Sequence, residues 1–505
     1  MRTILPASPI LYGALGAGIG YYGLSLCPSQ DKVPGILGTL LCIALLLSCM
    51  QVLSQSPGLW DRTLTGFQVL RRYRVYSLAL VFGLSLGLAA GSRIQPVSFG
   101  IPQDQVQGIY GILNEDPRTL HDRRGMGYLV LKQVSGPGDI RASAQGRVRV
   151  FFPEGTIPRL QAFGRGSEVY LEGTFLILDS RGTVPLAHEP CFRAQSVHIL
   201  RPASALEQMR SRWRRKLMER FVKAPWAGLA EALLLGIKDN LDTEVSQAYQ
   251  DAGCSHVLAL SGMHLAILTG LLAWFLRKFL GIKAASLLGC CCILMYVYIV
   301  GNFPSLDRAA IMYLLGTLAV LGSVPKAQGS LLSIPFLGVA FLIQILLDPE
   351  AGQRISFILS YLALGGILFI GNAIHELICG SIPEVLAQPL AASLGAFIAT
   401  AAATAWFFGY LRPVGVLAGL IIVPLSTLFM LGALAALLLP LPALGLILSI
   451  LYDILTGLAS WAAQVPGIWG ADPLLVALLS LGVSGLLMFF SHRHIVMRRN
   501  LAPFD

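Results

Sequence analysis

The chain has 505 residues, 55% of them hydrophobic, and only 13% carry a charge, against roughly a quarter in ordinary soluble domains. With a mean hydropathy of +0.68, this composition excludes a soluble enzyme. The net charge of +10 is local: +5 falls in residues 1–100, +1 in 101–200, +6 in 201–223 and −2 thereafter. Residues 224–505 hold only 11 Lys/Arg and 13 Asp/Glu, so that half belongs in lipid.

A bilayer core of about 30 Å takes about 20 helical residues. Apolar stretches at 10–26, 36–53 and 76–91 predict three spans in an N-terminal segment, 1–92. No small-residue cleavage site follows the first stretch, so it reads as a span and not as a signal peptide, and Leu26 before Cys27 argues against lipidation. Arg62, Arg71, Arg72 and Arg74 predict a cytoplasmic loop before the third span, which then runs outward. The nine cysteines form no CxxC pair, so neither zinc nor another metal or cofactor is expected.

Residues 101–200 differ in kind, with 11 basic and 10 acidic residues and short runs of two-residue alternation. Strands are predicted at 106–113, 128–134, 146–152, 167–178 and 193–199. Five strands in about 100 residues fit a small OB-like barrel, extracytoplasmic by the outward third span. Residues 201–250 follow as basic amphipathic and interfacial helices. Eight basic residues against two acidic ones in 201–223 surround Leu206, Met209, Trp213, Leu217 and Phe221 at helical spacing. Arg210, Arg212, Arg214, Arg215 and Lys216 are candidates for contact with anionic headgroups or with a polyanionic substrate, two compatible roles; simple linkage is the third reading.

Residues 251–492 contain apolar stretches at 256–276, 284–300, 308–321, 331–347, 355–374, 388–408, 414–439, 443–465 and 473–490. Nine further crossings are predicted, about 12 in all. Alternation puts Arg277, Lys278, Lys283, Lys326 and the tail 493–505 on the cytoplasmic side, as positive-inside topology prefers. The stretch 414–439 counts as one crossing, with a helix broken at Pro424 or two half-spans as the alternatives. The fold class expected is a polytopic all-α membrane protein with an inserted all-β, OB-like domain.

The densest polar cluster in this half is DAGCSHVLALSGMHLAIL, 251–268. Asp251, His256, Ser261, Gly262 and His264 enter an apolar span there, where polar groups persist only with partners or against a wet cavity. The alternative is that the histidines merely fix helix packing. Asp307 and Arg308 in GNFPSLDRAAIM are a second polar site, Asp348, Glu350 and Arg354 a third, and Asp453 stands alone in the eleventh predicted span. His256 with His264 is not a HExxH zinc pair. Ser261 next to Gly262 leaves an intramembrane serine hydrolase as one alternative; a small-solute or ion transporter is another, though no inverted repeat is visible.

At these residues the chain resembles the ComEC family of competence proteins. The matching segments are EALLLGIKDNLD (231–242), AGCSHVLALSGMH (252–264), YVYIVGNFPSLDRAAIM (296–312) and DPEAGQRISFILSYLALGG (348–366), in the family's order. The resemblance implies an inner-membrane channel that passes single-stranded DNA into the cytoplasm during natural transformation, with no bond chemistry of its own. It makes Asp251, His256, Ser261, Gly262, His264, Asp307 and Arg308 candidates for lining the path. In the outer domain Tyr110, Tyr128, Phe151, Phe152 and Tyr170 become candidates for stacking on bases, with Arg147 and Arg149 beside them. The implied partners are an extracytoplasmic DNA receptor, a cytoplasmic DNA motor, a separate nuclease and a second copy of the chain. Many family members carry a metallo-β-lactamase-like nuclease domain with an HxHxDH motif; His492, Arg493 and His494 are followed by Ile495 and Val496, so no nuclease activity is expected of this polypeptide.

Overall fold

The computed structural model describes residues 9–25, 66–94, 97–119, 125–176, 190–221, 224–301, 303–322, 330–439 and 442–501. They form two compact units, one of residues 1–94 and 311–361 and one of 95–310 and 362–505.

In the first unit α1 (Pro9–Ser25) packs against α2 (Gly66–Gly91) through glycines spaced four apart. A Cβ at Gly83 would lie 1.9 Å from the Gly13 carbonyl oxygen, and one at Gly16 2.2 Å from that of Leu80. Only glycine lets two helix backbones meet this closely, a device common between membrane helices. Tyr21, Ile345 and Phe357 are buried in this unit's core, and Tyr22 donates to the Gly352 carbonyl at 2.9 Å. The span expected at 36–53, together with Arg62, lies outside the described residues. Arg71, Arg72 and Arg74 belong to α2, which starts at Gly66, and not to a loop as expected.

The second unit opens with eight strands: β1 (Ser98–Phe99), β2 (Gly108–Leu113), β3 (Arg118–Thr119), β4 (Gly125–Ser135), β5 (Arg141–Gln145), β6 (Arg147–Phe152), β7 (Glu168–Leu176) and β8 (Cys191–Arg201). A short helix, α3 (Ile157–Phe163), lies between β6 and β7. All five predicted strands are present. The pairing β4-β2-β7-β8-β6 closes on itself because β6 also pairs with β4, and β6 and β8 run parallel. Alternation decides what faces inward: in β6, Val148, Val150 and Phe152 are buried while Arg147, Arg149 and Phe151 keep accessible surface. Phe152 therefore belongs to the barrel core and offers no stacking surface.

Four helices follow: α4 (Ala205–Glu219), α5 (Ala227–Leu235), α6 (Thr243–Asp251) and α7 (Ser255–Leu258). Every residue of α5 is buried. Next come α8 (Gly262–Val300), α9 (Pro304–Leu321), α10 (Ser330–Leu347), α11 (Ile355–Ile378), α12 (Glu384–Phe408), β9 (Tyr410–Leu411), α13 (Val414–Leu438), α14 (Pro442–Ala463), β10 (Ile468–Trp469) and α15 (Pro473–Leu501).

Among the described residues seven helices are long and apolar enough to cross a membrane: α8, α9, α11, α12, α13, α14 and the Pro473–Ser491 part of α15. Gly281 in α8 has φ 71° and ψ 172°, a conformation costly for any other residue. The two limbs of α8 fold back there, because Ser305, just past its end, donates to the carbonyl of Leu260, just before its start, at 2.8 Å. Pro424 lies inside a continuous α13, so of the alternatives for 414–439 the single helix is the one present.

Candidate functional site

The polar cluster gathers where α8 begins. His264 sits in the third position of that helix, and its Nδ1 accepts the backbone amide of Ser261 at 3.3 Å, a capping exchange that satisfies an otherwise orphaned donor. The imidazole is 1% exposed and its Nε2 has no partner. His264 Nδ1 is taken up by this cap, and Ser261 Oγ makes no hydrogen bond to the imidazole. Gly262 lies against Arg308 of α9: a Cβ there would come within 2.9 Å of Arg308 Nη2 and 3.1 Å of Ala309 Cβ. Arg308 is buried and Asp307 half-buried. Ser261, Gly262, His264 and Arg308 thus converge at one end of the bundle.

Asp251 stands apart from this group, whereas His256 lies within electrostatic reach of His264. Asp251 Oδ1 accepts from Arg412 Nη2 at 2.6 Å, and the Arg412 guanidinium lies 5.6 Å from the ring of Tyr410 and 5.3 Å from that of Trp469. Nearby, Gly253 and Gly415 meet backbone to backbone, with a Cβ at Gly415 only 2.7 Å from the Gly253 carbonyl oxygen. Asp251 therefore ties the end of α6 to the start of α13. His256 lies on α7 with accessible surface.

The basic helix does not present its five cations alike. Arg210 is fully buried. Its Nη2 donates to both Asp116 oxygens, at 2.6 and 2.7 Å, its Nε to Glu207 at 2.7 Å, and its Nη1 to the Ile299 carbonyl at 3.3 Å. Arg214 donates to the same Asp116 carboxylate. As it stands Arg210 offers no surface to a headgroup or to DNA, because its side chain is sealed from solvent and each of its three nitrogens already has a protein acceptor. Arg212, Arg215 and Lys216 are exposed. Burial alone would push the Asp116 carboxyl up; the Arg214 and Arg210 guanidinia outweigh it and hold the group below its ordinary value.

In the barrel, Tyr110 and Tyr170 are direct cross-strand partners. Tyr110 donates to Glu168 at 2.8 Å, and the hydroxyls of Tyr170 and Ser135 are 3.0 Å apart. The Arg147 guanidinium covers the ring of Tyr128 at 3.7 Å. Phe151 is half-buried. The stacking candidates thus divide into a Tyr110–Tyr170 pair and a Tyr128 ring whose face is already occupied.

Two polar groups escaped sequence reasoning. Glu231 of α5 is fully buried; its Oε2 accepts from Asn240 Nδ2 at 2.9 Å, and its Oε1 has no partner. The signal was available as one acidic residue inside the apolar run AGLAEALLL. Asp116 gave no such signal, being an ordinary loop acid 94 residues before Arg210. Among the described residues no three His, Cys, Asp or Glu side chains come together as a metal site would need.

A family model described as a competence protein matches residues 233–494. Among curated relatives, ComE operon protein 3 of Bacillus subtilis (strain 168) is 33% identical over 176 residues, covering 33% of this chain and 21% of that protein. An uncharacterized protein of Aquifex aeolicus (strain VF5) is 30% identical over 189 residues, covering 37% of this chain and 42% of the relative. In both cases the match spans less than half of the relative's length. No solved structure matches. The matched region takes in α8, the Ser261–His264 cap, Arg308 and the helices after them as far as residue 494 within α15, and the chain belongs to the ComEC family of competence proteins.

Proposed function

We propose that this protein is a multi-pass channel of the inner membrane that carries single-stranded DNA into the cytoplasm during natural transformation. The observation that carries the reading is the burial of His264 and Arg308 at the start of α8 and α9, where Arg308 lies against Gly262, two residues before His264, on two helices apolar enough to cross a membrane. An isolated charge taken into hydrocarbon costs on the order of tens of kcal/mol by Born arguments. A polyanion therefore crosses only along a polar, hydrated path, and intramembrane imidazole and guanidinium groups are fitting elements of one.

In this reading α8 crosses twice, turning at Gly281 near Arg277, Lys278 and Lys283, and the full chain crosses about 12 times with both ends cytoplasmic. The closed five-strand pairing, the parallel β6–β8 pair and the helix between β6 and β7 support an OB-like outer domain. Tyr110 and Tyr170 are the best placed of its residues to stack on bases. His264, Arg308, Gly262 and Ser261 line the path; Asp251 frames it through Arg412, and His256 and Asp307 flank it. A DNA receptor outside, a motor inside, a separate nuclease and a second copy of the chain are the partners this role calls for. His264→Leu and Arg308→Ala, each made singly, test the reading. Each variant should reach the membrane at the wild-type level and reduce internalisation of labelled DNA at least tenfold; wild-type uptake in both would return these residues to packing roles.

A further inference from the structure

The α4 helix is pinned at two places that belong to opposite ends of the bundle. Near its start, Arg210 Nη1 donates to the carbonyl of Ile299, in the last turn of α8. Just past its end, Arg220 Nη1 donates to the carbonyl of Leu437, in the last turn of α13, at 3.0 Å. The two anchor points are at different levels. The end of α8 lies beside its own start through the Ser305–Leu260 bond, and a short connection from that start reaches Gly253, which touches Gly415 at the beginning of α13. Leu437 stands 22 residues further along α13, about 33 Å away at about 1.5 Å per residue. Between its two anchors α4 rises about 15 Å, and two extended arginine side chains bridge the rest. The helix therefore runs lengthwise through the depth of the bundle and does not lie flat at one end, as a helix resting on headgroups would.

This orientation changes the meaning of the cations on its outer face. Arg212, Arg215 and Lys216 are exposed and fall on one side of the helix, opposite Arg210. Glu219 shares that side, which leaves it with an excess of two positive charges. A Lys or Arg facing acyl chains at bilayer depth costs about 2.5–3.5 kcal/mol on insertion scales, so a face carrying three of them belongs to a wet cavity.

We propose that this face of α4 is a contact surface for the phosphodiester backbone of single-stranded DNA moving along the bundle. The proposal rests on the channel reading above and adds to it where the strand's phosphates run. It assigns different work to neighbouring cations: Arg210 and Arg214 hold the helix in place, and Arg212, Arg215 and Lys216 meet the strand. Charge complementarity selects the occupant, since contact with a phosphate chain replaces the water these groups would otherwise keep.

The test uses the full chain with a photo-crosslinking residue at position 212 or 216, in vesicles of phosphatidylcholine alone or with phosphatidylglycerol, and a labelled single-stranded oligonucleotide. The expected result is crosslinking to the oligonucleotide in both vesicle types, falling as salt rises. Crosslinking to phosphatidylglycerol with none to the oligonucleotide would overturn the proposal in favour of a lipid contact. In cells, the triple variant Arg212→Gln, Arg215→Gln, Lys216→Gln should lower DNA uptake at least tenfold at unchanged membrane abundance, while Arg212→Lys with Arg215→Lys retains most of it. Wild-type chain that restores uptake beside a triple variant that restores it equally refutes this assignment alone. A wild-type chain that restores none removes the channel reading and this proposal with it.

Discussion

Arg210 and Asp116 are joined by two hydrogen bonds, at 2.6 and 2.7 Å, across 94 residues of sequence, and the guanidinium is sealed from solvent. The pair fastens the β barrel to α4, and the third bond of Arg210, to Ile299, extends the tie to α8. Removing one partner of a buried pair leaves an uncompensated charge and typically costs about 3–5 kcal/mol. Arg210→Ala and Asp116→Ala should therefore each lower the thermal midpoint of the purified chain and expose the 190–205 region to protease. The double variant should cost less than the two single losses combined. Additive losses would contradict a direct pair.

The same pair sets an acid limit. The Asp116 carboxyl titrates below its ordinary value in the folded protein, so its contribution is fully present above the unfolded value of about 3.9 and disappears as pH falls through the lower, folded one. Protease protection of the barrel should hold constant from pH 7 to about pH 5 and fall below about pH 4. Asp116→Asn should flatten that acid limb. A limb of equal depth in the variant would mean that other carboxyls cause it.

Glu231 offers a different kind of test. Its charge is buried with one oxygen unpartnered, so Glu231→Gln keeps an acceptor for Asn240 and removes the desolvated charge. The variant should be at least as stable as wild type, whereas Asn240→Ala leaves both oxygens unsatisfied and should cost about 1–3 kcal/mol. Melting of both variants in detergent decides it, and a strongly destabilised Gln variant would show that the charge itself is required.

Gly228 and Gly262 are places where a methyl group cannot enter. A Cβ at Gly228 would lie 2.1 Å from the Asn240 carbonyl oxygen, a backbone atom that cannot rotate away, so Gly228→Ala should cost about 1–3 kcal/mol and reduce the amount of protein in the membrane. At Gly262 the nearest atom is the tip of Arg308, which can swing aside. Gly262→Ala should spare folding and lower DNA uptake by moving that guanidinium. Immunoblotting of membranes beside an uptake assay separates the two effects; equal abundance of both variants would contradict the distinction.

How far the sequence could be read follows from the range of the interactions. The strands of the barrel were legible because Arg147, Val148, Arg149 and Val150 alternate locally, and the alternation is what buries them. The mouth of α8 was half legible: Ser261, Gly262, His264 and Arg308 stood out as polar residues in apolar surroundings, while the capping bond that consumes His264 Nδ1 has no sequence signature once Gly262 is read as a helix break. Arg210 was misjudged because the five cations of 210–216 look alike until Asp116 and Ile299 arrive from elsewhere in the chain. Proline alone did not decide between one helix and two halves at 414–439: α13 continues through Pro424, whereas positive φ at Gly281 turns α8 back on itself. The tie of Asp251 to Arg412 spans 161 residues, and only the fold could join them.

The most direct measurement of the central claim is internalisation of fluorescent DNA in transformable cells that lack this protein. The account predicts that labelled DNA collects at the cell surface, stays outside the cytoplasm, and enters when the wild-type chain is restored. DNA reaching the cytoplasm of cells without the protein at the rate of cells that have it would contradict the account.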